Sequence, residues 1–200
     1  MVAKNWDNQA TVTNSARAEF LSTVPSNQSR HLANSILQSQ DHGGNNFVIL
    51  DKTQALLYVF SSEGVLLGAS PVLLGAALGD DSISGIGSRE ISQIRPEERT
   101  TPAGRFIAEP GYNNVGEDIV WVDYEAAVSM HRVRATNLSE RRLERLASPS
   151  ASDNRISYGC INVPSAFYNA VITPLFKDNA AIVYVLPDVK SLKEVFAFTK

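Results

Sequence analysis

At Phe47 the chain changes character. Residues 47–75, FVILDKTQALLYVFSSEGVLLGASPVLLG, alternate in character and are dense in Val, Leu, Phe and Tyr, with breaks at DKTQ and SSEG. Those breaks have turn composition, so the segment predicts two or three consecutive antiparallel strands. RFIAEP (105–110), EDIVWVDY (117–124) and AAVSMH (126–131) predict further strands, the last ending at His131, and AAIVYVLP (180–187) predicts a closing buried one. Helical spacing occurs in three places. After Pro25, residues Leu32, Ala33, Ile36 and Leu37 share one face. NLSERRLERLAS (137–148) predicts a short exposed helix, with Asn137 and Glu140 at capping-box spacing. PSAFYNAVITPLF (164–176) predicts a helix opened by Pro164.

Between these elements the chain is polar. Residues 1–46 are rich in Asn, Gln, Ser and Thr, and the paired glycines of DHGGNN (41–46) close that region. The expected organisation is a polar N-terminal arm or helical extension over 1–45 and a folded domain over 46–200. Residues 79–104, punctuated by Gly and Pro, predict a long surface loop of the kind that is functional or disordered. The fold class is mainly β with a few peripheral helices.

Composition narrows the functional classes. A net charge of −3 gives no electrostatic footprint for nucleic acid. No apolar run is long enough to span a bilayer, and no leader is visible at the start. A single cysteine makes no internal disulfide, and one Cys with three scattered His offers no zinc-type ligand set. No metal and no cofactor are expected.

That cysteine, Cys160, lies in RISYGCINVP (155–164), after a glycine and before a helix-opening proline. A lone cysteine in an apolar run is most often a small buried hydrophobe. It is a nucleophile where a basic group favours the thiolate. His31 and His42 lie in the polar region and read as solvated. His131 ends an apolar strand 29 positions before Cys160, where it is placed to serve as the base. Gly159 removes a side chain beside the sulfur and leaves backbone N–H groups open to a substrate carbonyl. From these residues alone, the inert and the reactive readings both remain open.

The residues also resemble a family. SYGCIN (157–162) is similar to the signature of the L,D-transpeptidase catalytic domain, the YkuD-type peptidoglycan enzymes: an upstream His, a spacer, then Ser/Thr-His-Gly-Cys-hydrophobic-Asn. Ser157, Gly159, Cys160, Ile161 and Asn162 match it, and His131 matches the upstream histidine. VILDKTQALLYVF (48–60) resembles the opening hairpin, and TTPAGRF (100–106) the Thr-Pro-x-Gly-x-Phe turn. The resemblance spans about residues 46–187. Tyr158 stands where the family has a second histidine, Arg132 where a small residue is common, and the spacer is longer by the 137–148 segment.

The resemblance implies a bent β-sandwich with the cysteine at the rim of a cleft. It implies cysteine-dependent acyl transfer on peptidoglycan stem peptides, with release of D-alanine, in the cell envelope or periplasm. It also implies acylation of the cysteine by carbapenems. Cys160 is then the nucleophile, His131 the base, the Arg132 carbonyl its orienting partner, and the N–H groups of Tyr158, Gly159 and Cys160 the oxyanion hole. Ser157 and Asn162 shape the loop. Arg132, Arg134 or Arg155 pairs with a stem carboxylate, while Arg141, Arg142 and Arg145 read as solvated. The 137–148 insertion is expected to wall the cleft. The alternatives are an L,D-carboxypeptidase or wall-trimming effector of the same fold, and a non-catalytic wall-binding module.

Overall fold

A computed structural model describes residues 16–177 and 180–199. Among the described residues ten strands form: β1 (Phe47–Asp51), β2 (Leu56–Phe60), β3 (Leu66–Pro71), β4 (Leu74–Gly75), β5 (Gly104–Tyr112), β6 (Asp118–Asp123), β7 (Val128–Arg132), β8 (Arg155–Ser157), β9 (Ile161–Val163) and β10 (Ala181–Val185). Eight of them make one mixed sheet in the order β3-β2-β1-β10-β5-β6-β7-β9, and β4 pairs with β8 in a second, two-stranded sheet. The large sheet bends on itself. Val48, Leu50, Leu57 and Val59 of one half pack against Val120, Val122, Val128 and Met130 of the other in a shared core. The two layers are thus halves of one continuous sheet. A bridge between Leu73 and Asn162 brings its ends together, so the sheet curls nearly into a barrel.

β1 is buried at every position because each face has its own core. Val48 and Leu50 point into the curl, whereas Phe47 and Ile49 point outward with Tyr58, Phe60, Ile182 and Tyr184. That outer face is covered by α1 (Asn27–Ser39), through Leu32, Ala33, Ile36 and Leu37, together with Phe20 and Phe196. The helical face read from the sequence is therefore core. Fully burying side chains of this size is worth roughly 1.5–3 kcal/mol each. Ser26 caps the helix by accepting from the Ser29 N–H, and the Ser26 and Ser29 hydroxyls both donate to the buried Asp51 carboxylate at 2.5 and 2.7 Å. Residues 1–15 of the expected arm lie outside the described residues.

Two expectations, for His42 and for the 137–148 helix, are corrected. His42 is buried, not solvated. The turn after α1 folds it against the Phe47 ring, with Nε2 at 3.0 Å from the Ser62 carbonyl oxygen. Residues 79–104 form a surface loop, in which three 3₁₀ turns bury Ile86 and Ile94, and the buried Glu98 accepts from Arg89 and Arg95. The 137–148 helix is broken. Asn137 caps only the 3₁₀ turn Leu138–Glu140, Arg141 takes a left-handed φ of 50°, and α2 (Arg142–Ala147) starts after it. Among the described residues no helix is long and apolar enough to cross a membrane.

Candidate active site

β7 and β9 run parallel in the register Met130↔Ile161, His131↔Asn162. One step back on both strands, Ser129 faces Cys160, with Oγ 3.6 Å from Sγ. Ser129 and His131 are two residues apart on a strand, so they share its outer face, while Val128 and Met130 enter the core. The strand alternation that read His131 as a strand end thus also carried Ser129. Its role beside the sulfur was missed.

The His131 ring is tethered by its own strand, with Nδ1 2.7 Å from the Arg132 carbonyl oxygen. A carbonyl accepts only, so Nδ1 carries the proton and the other ring nitrogen, Nε2, is left as an acceptor. The Cys160 thiol, half-buried, is subject to opposing effects. Burial pushes its pKa up. The hydrogen bond and charge interaction with His131, joined by hydrogen bonds from Ser129, pull it down, and the balance lies below the ordinary thiol value.

The cysteine loop is closed on itself. The Ser157 hydroxyl donates to the Cys160 carbonyl oxygen at 2.6 Å and accepts from the Gly159 N–H at 3.1 Å. That engages one of the three expected oxyanion donors, so the Gly159 N–H is not free. Gly159 is required for another reason. Its φ is +127°, and an added Cβ would lie 2.8 Å from the Thr100 carbonyl oxygen. The space it leaves faces loop 79–104, not the cleft. From that loop the buried Thr101 hydroxyl donates to the Gly159 carbonyl at 2.8 Å and accepts from the Gly75 N–H at 2.9 Å.

A cleft of about 340 Å³ opens over the sulfur, lined by Ser129, His131, Tyr158, Trp121, Arg134 and Arg142 among others. Tyr158 forms one wall, its ring held under the Arg99 guanidinium at 3.9 Å from the centroid. Ser157 and Asn162 also line the cleft. The other arginines divide differently from the sequence expectation. Arg132 contributes its carbonyl, but its side chain turns away to Asp118 at 2.7 Å and lies over the Tyr168 ring. Arg155, expected at the substrate, is outside the cleft and pairs with Asp188 at 2.7 Å, because a buried carboxylate there needs a counter-charge. Arg142, expected in solvent, is a cleft residue with only 13% of its side chain exposed. Arg134 lines the cleft and pairs with Glu117. Among the described residues no group of three or more His, Cys, Asp or Glu side chains is placed to hold a metal ion.

No protein-family model and no curated protein matches the chain. Solved structures do. A mutant of the helical cell shape determining protein Pgp2 from Campylobacter jejuni is similar at 14% identity and a TM-score of 0.48, over 72% of this chain and 48% of that one. An L,D-transpeptidase from Mycobacterium smegmatis is similar at 14% identity and a TM-score of 0.42, over 71% and 58%. The catalytic domain of an E. faecium L,D-transpeptidase is similar at 15% identity and a TM-score of 0.37, over 72% and 98%. The chain spans about half to three fifths of the length of the first two.

Proposed function

We propose that the protein is an L,D-transpeptidase-type acyltransferase of the cell envelope, with Cys160 as nucleophile and peptidoglycan stem peptides as substrate. One observation carries the reading: His131 is fixed through Nδ1 on the Arg132 carbonyl, beside a thiol whose pKa it lowers. A spare buried cysteine needs neither. The signature residues Ser157, Gly159, Cys160, Ile161 and Asn162 around that pair support the substrate class.

In this reading the Cys160 thiolate attacks the carbonyl after the L-centre of the third stem residue. The oxyanion that forms is met by the backbone N–H groups of Tyr158 and Cys160. A donor of this kind is worth about a hundredfold or more in rate. The C–N bond breaks, and His131, carrying the proton taken from the thiol, gives it to departing D-alanine. A thioester remains. The amine of a second stem attacks it, His131 takes that amine's proton, and the C–S bond breaks to return the thiolate.

The test is mass spectrometry of tetrapeptide muropeptides incubated with the protein, beside Cys160→Ala. Cysteine-dependent dimers are the expected product. Tripeptide alone would identify a carboxypeptidase. Unchanged substrate with a folded protein would overturn acyl transfer and leave a wall-binding module.

A further inference from the structure

The 137–148 segment separates His131 from Cys160 in sequence, yet it returns to the cysteine through one side chain. Arg142, in the first turn of α2, is turned inward by the left-handed Arg141 before it. Its Nε donates to Glu140 at 2.5 Å and its Nη1 to Asn162 Oδ1 at 2.6 Å. Asn162 is 1% exposed, and its Nδ2 donates to the Cys160 carbonyl oxygen at 3.1 Å. That oxygen is the one that also accepts from Ser157.

A carboxamide presents an acceptor at one end and donors at the other, in nearly the same shape. Its orientation is set by what surrounds it. A guanidinium only donates, so Arg142 selects the Asn162 rotamer with Oδ1 facing it, and Nδ2 is then left for the Cys160 carbonyl. In the reversed orientation, donors would meet donors at Arg142 and two oxygens would meet at Cys160. Both mismatches would be buried, where unsatisfied polar groups are most costly.

We infer that Arg142 is a positioning residue that fixes the cysteine loop through Asn162, so that the insertion sets how Cys160 meets His131. Its consequence for turnover rests on the acyl-transfer reading, but its signature is in the thiol itself. Cys160 is the only cysteine, so alkylation of the full chain by iodoacetamide reports on that group alone.

The experiment is the pH dependence of that alkylation in the wild type, Arg142→Ala, Arg142→Gln, Asn162→Ala and the Arg142→Ala/Asn162→Ala double variant. The wild-type midpoint is expected below the free-thiol value of about 8.5. Each alanine variant should move it up by about one unit, which slows alkylation at neutral pH about tenfold. The double variant should be no worse than either single one, since both cut the same linkage. Arg142→Gln keeps an N–H donor without charge and should stay near the wild type. A purely electrostatic role predicts otherwise: Arg142→Gln matches Arg142→Ala, Asn162→Ala has no effect, and the proposal fails. If Arg142→Ala unfolds, the Arg142→Gln and Asn162→Ala profiles still decide. A wild type that leaves muropeptides untouched but shows these shifts removes the acyl-transfer reading and keeps the positioning role. Normal turnover with unmoved midpoints does the reverse.

Discussion

The cysteine loop is held from two sides, and the sides differ in kind. Beneath it lies a buried charged hub. The Lys52 ammonium donates to the Gly79 and Thr101 carbonyls at 2.6 and 2.9 Å and to Asp80 at 3.0 Å, and it lies 3.3 Å from Asp188. Arg155 completes the hub on Asp188. Lys52, Asp80 and Asp188 side chains are at most 3% exposed. This hub ties the β1–β2 turn, loop 79–104, β8 and the segment after β10 to Thr101, which holds the Gly159 carbonyl. Above the loop lies the 137–148 insertion. There Leu138 is 85% exposed, and the Arg141–Glu144 pair is more than half exposed on both partners. A desolvated, fully bonded hub fixes the loop's floor. The insertion, mostly solvated, reaches the loop through the one inward-turned guanidinium of Arg142 and adjusts its geometry.

The comparison breaks most readily at Lys52. Lys52→Met keeps the stem's bulk but leaves Asp80 and Asp188 short of a buried counter-charge. It is expected to lower unfolding stability by about 3–5 kcal/mol in a denaturant titration. A loss under about 1 kcal/mol would mean that the hub holds no more than a surface pair does.

Acid tests the same hub. Burial raises the Asp80 carboxyl, but the N–H groups of Lys190, Asp188 and Val189 and the Lys52 ammonium outweigh it and bring it to about 2. The unfolded value is about 3.9, so the folded group is depressed. Its stabilisation is fully present above about pH 4 and is lost as pH falls toward about 2. A shift of this size is worth about 2–3 kcal/mol. In Asp80→Asn the corresponding part of the acid limb should flatten. An unaltered limb would assign acid sensitivity to other carboxylates.

Thr101→Val should come next, at about 1–3 kcal/mol. It leaves the buried Gly75 N–H and Gly159 carbonyl without the hydroxyl that joins them. A thermal melt measures the loss, and Thr101→Ser should recover most of it.

How far these two sides could be read from the chain follows from the range of the contacts. The strand that carries His131 is legible from alternation, and the setting of Cys160 from a local signature, because each pattern lies within a few residues. The alternation expected over 47–60 does not hold in β1 and β2, which are buried on both faces. Phe47, Val48, Ile49 and Leu50 are consecutive rather than alternating, which is how a strand with cover on both faces reads. Some later segment had to supply the outer cover, and α1 does. Arg155 and Arg142 stand in each other's expected places, the first outside the cleft and the second in it. What decides between them is distant: Asp188, 33 positions on, captures Arg155, while Asn162, 20 positions on, holds Arg142. Charges that meet across such separations leave no periodic trace.

The smallest effect sharpens the contrast within the insertion itself. Arg141 and Arg142 are adjacent, and each pairs with a glutamate of the same segment. Arg141 does so in solvent, where side-chain entropy and screening offset most of the attraction, so Arg141→Ala should change stability by about 0–1 kcal/mol. It should also leave the alkylation midpoint of Cys160 where it is, because no hydrogen bond leads from its guanidinium to the cysteine loop. Arg142→Ala should cost more in a melt, about 1–3 kcal/mol, because it leaves the buried Asn162 Oδ1 without its donor, and it should move that midpoint. If both arginines moved it alike, the insertion would act on the thiol through its overall charge and not through the single link at Asn162.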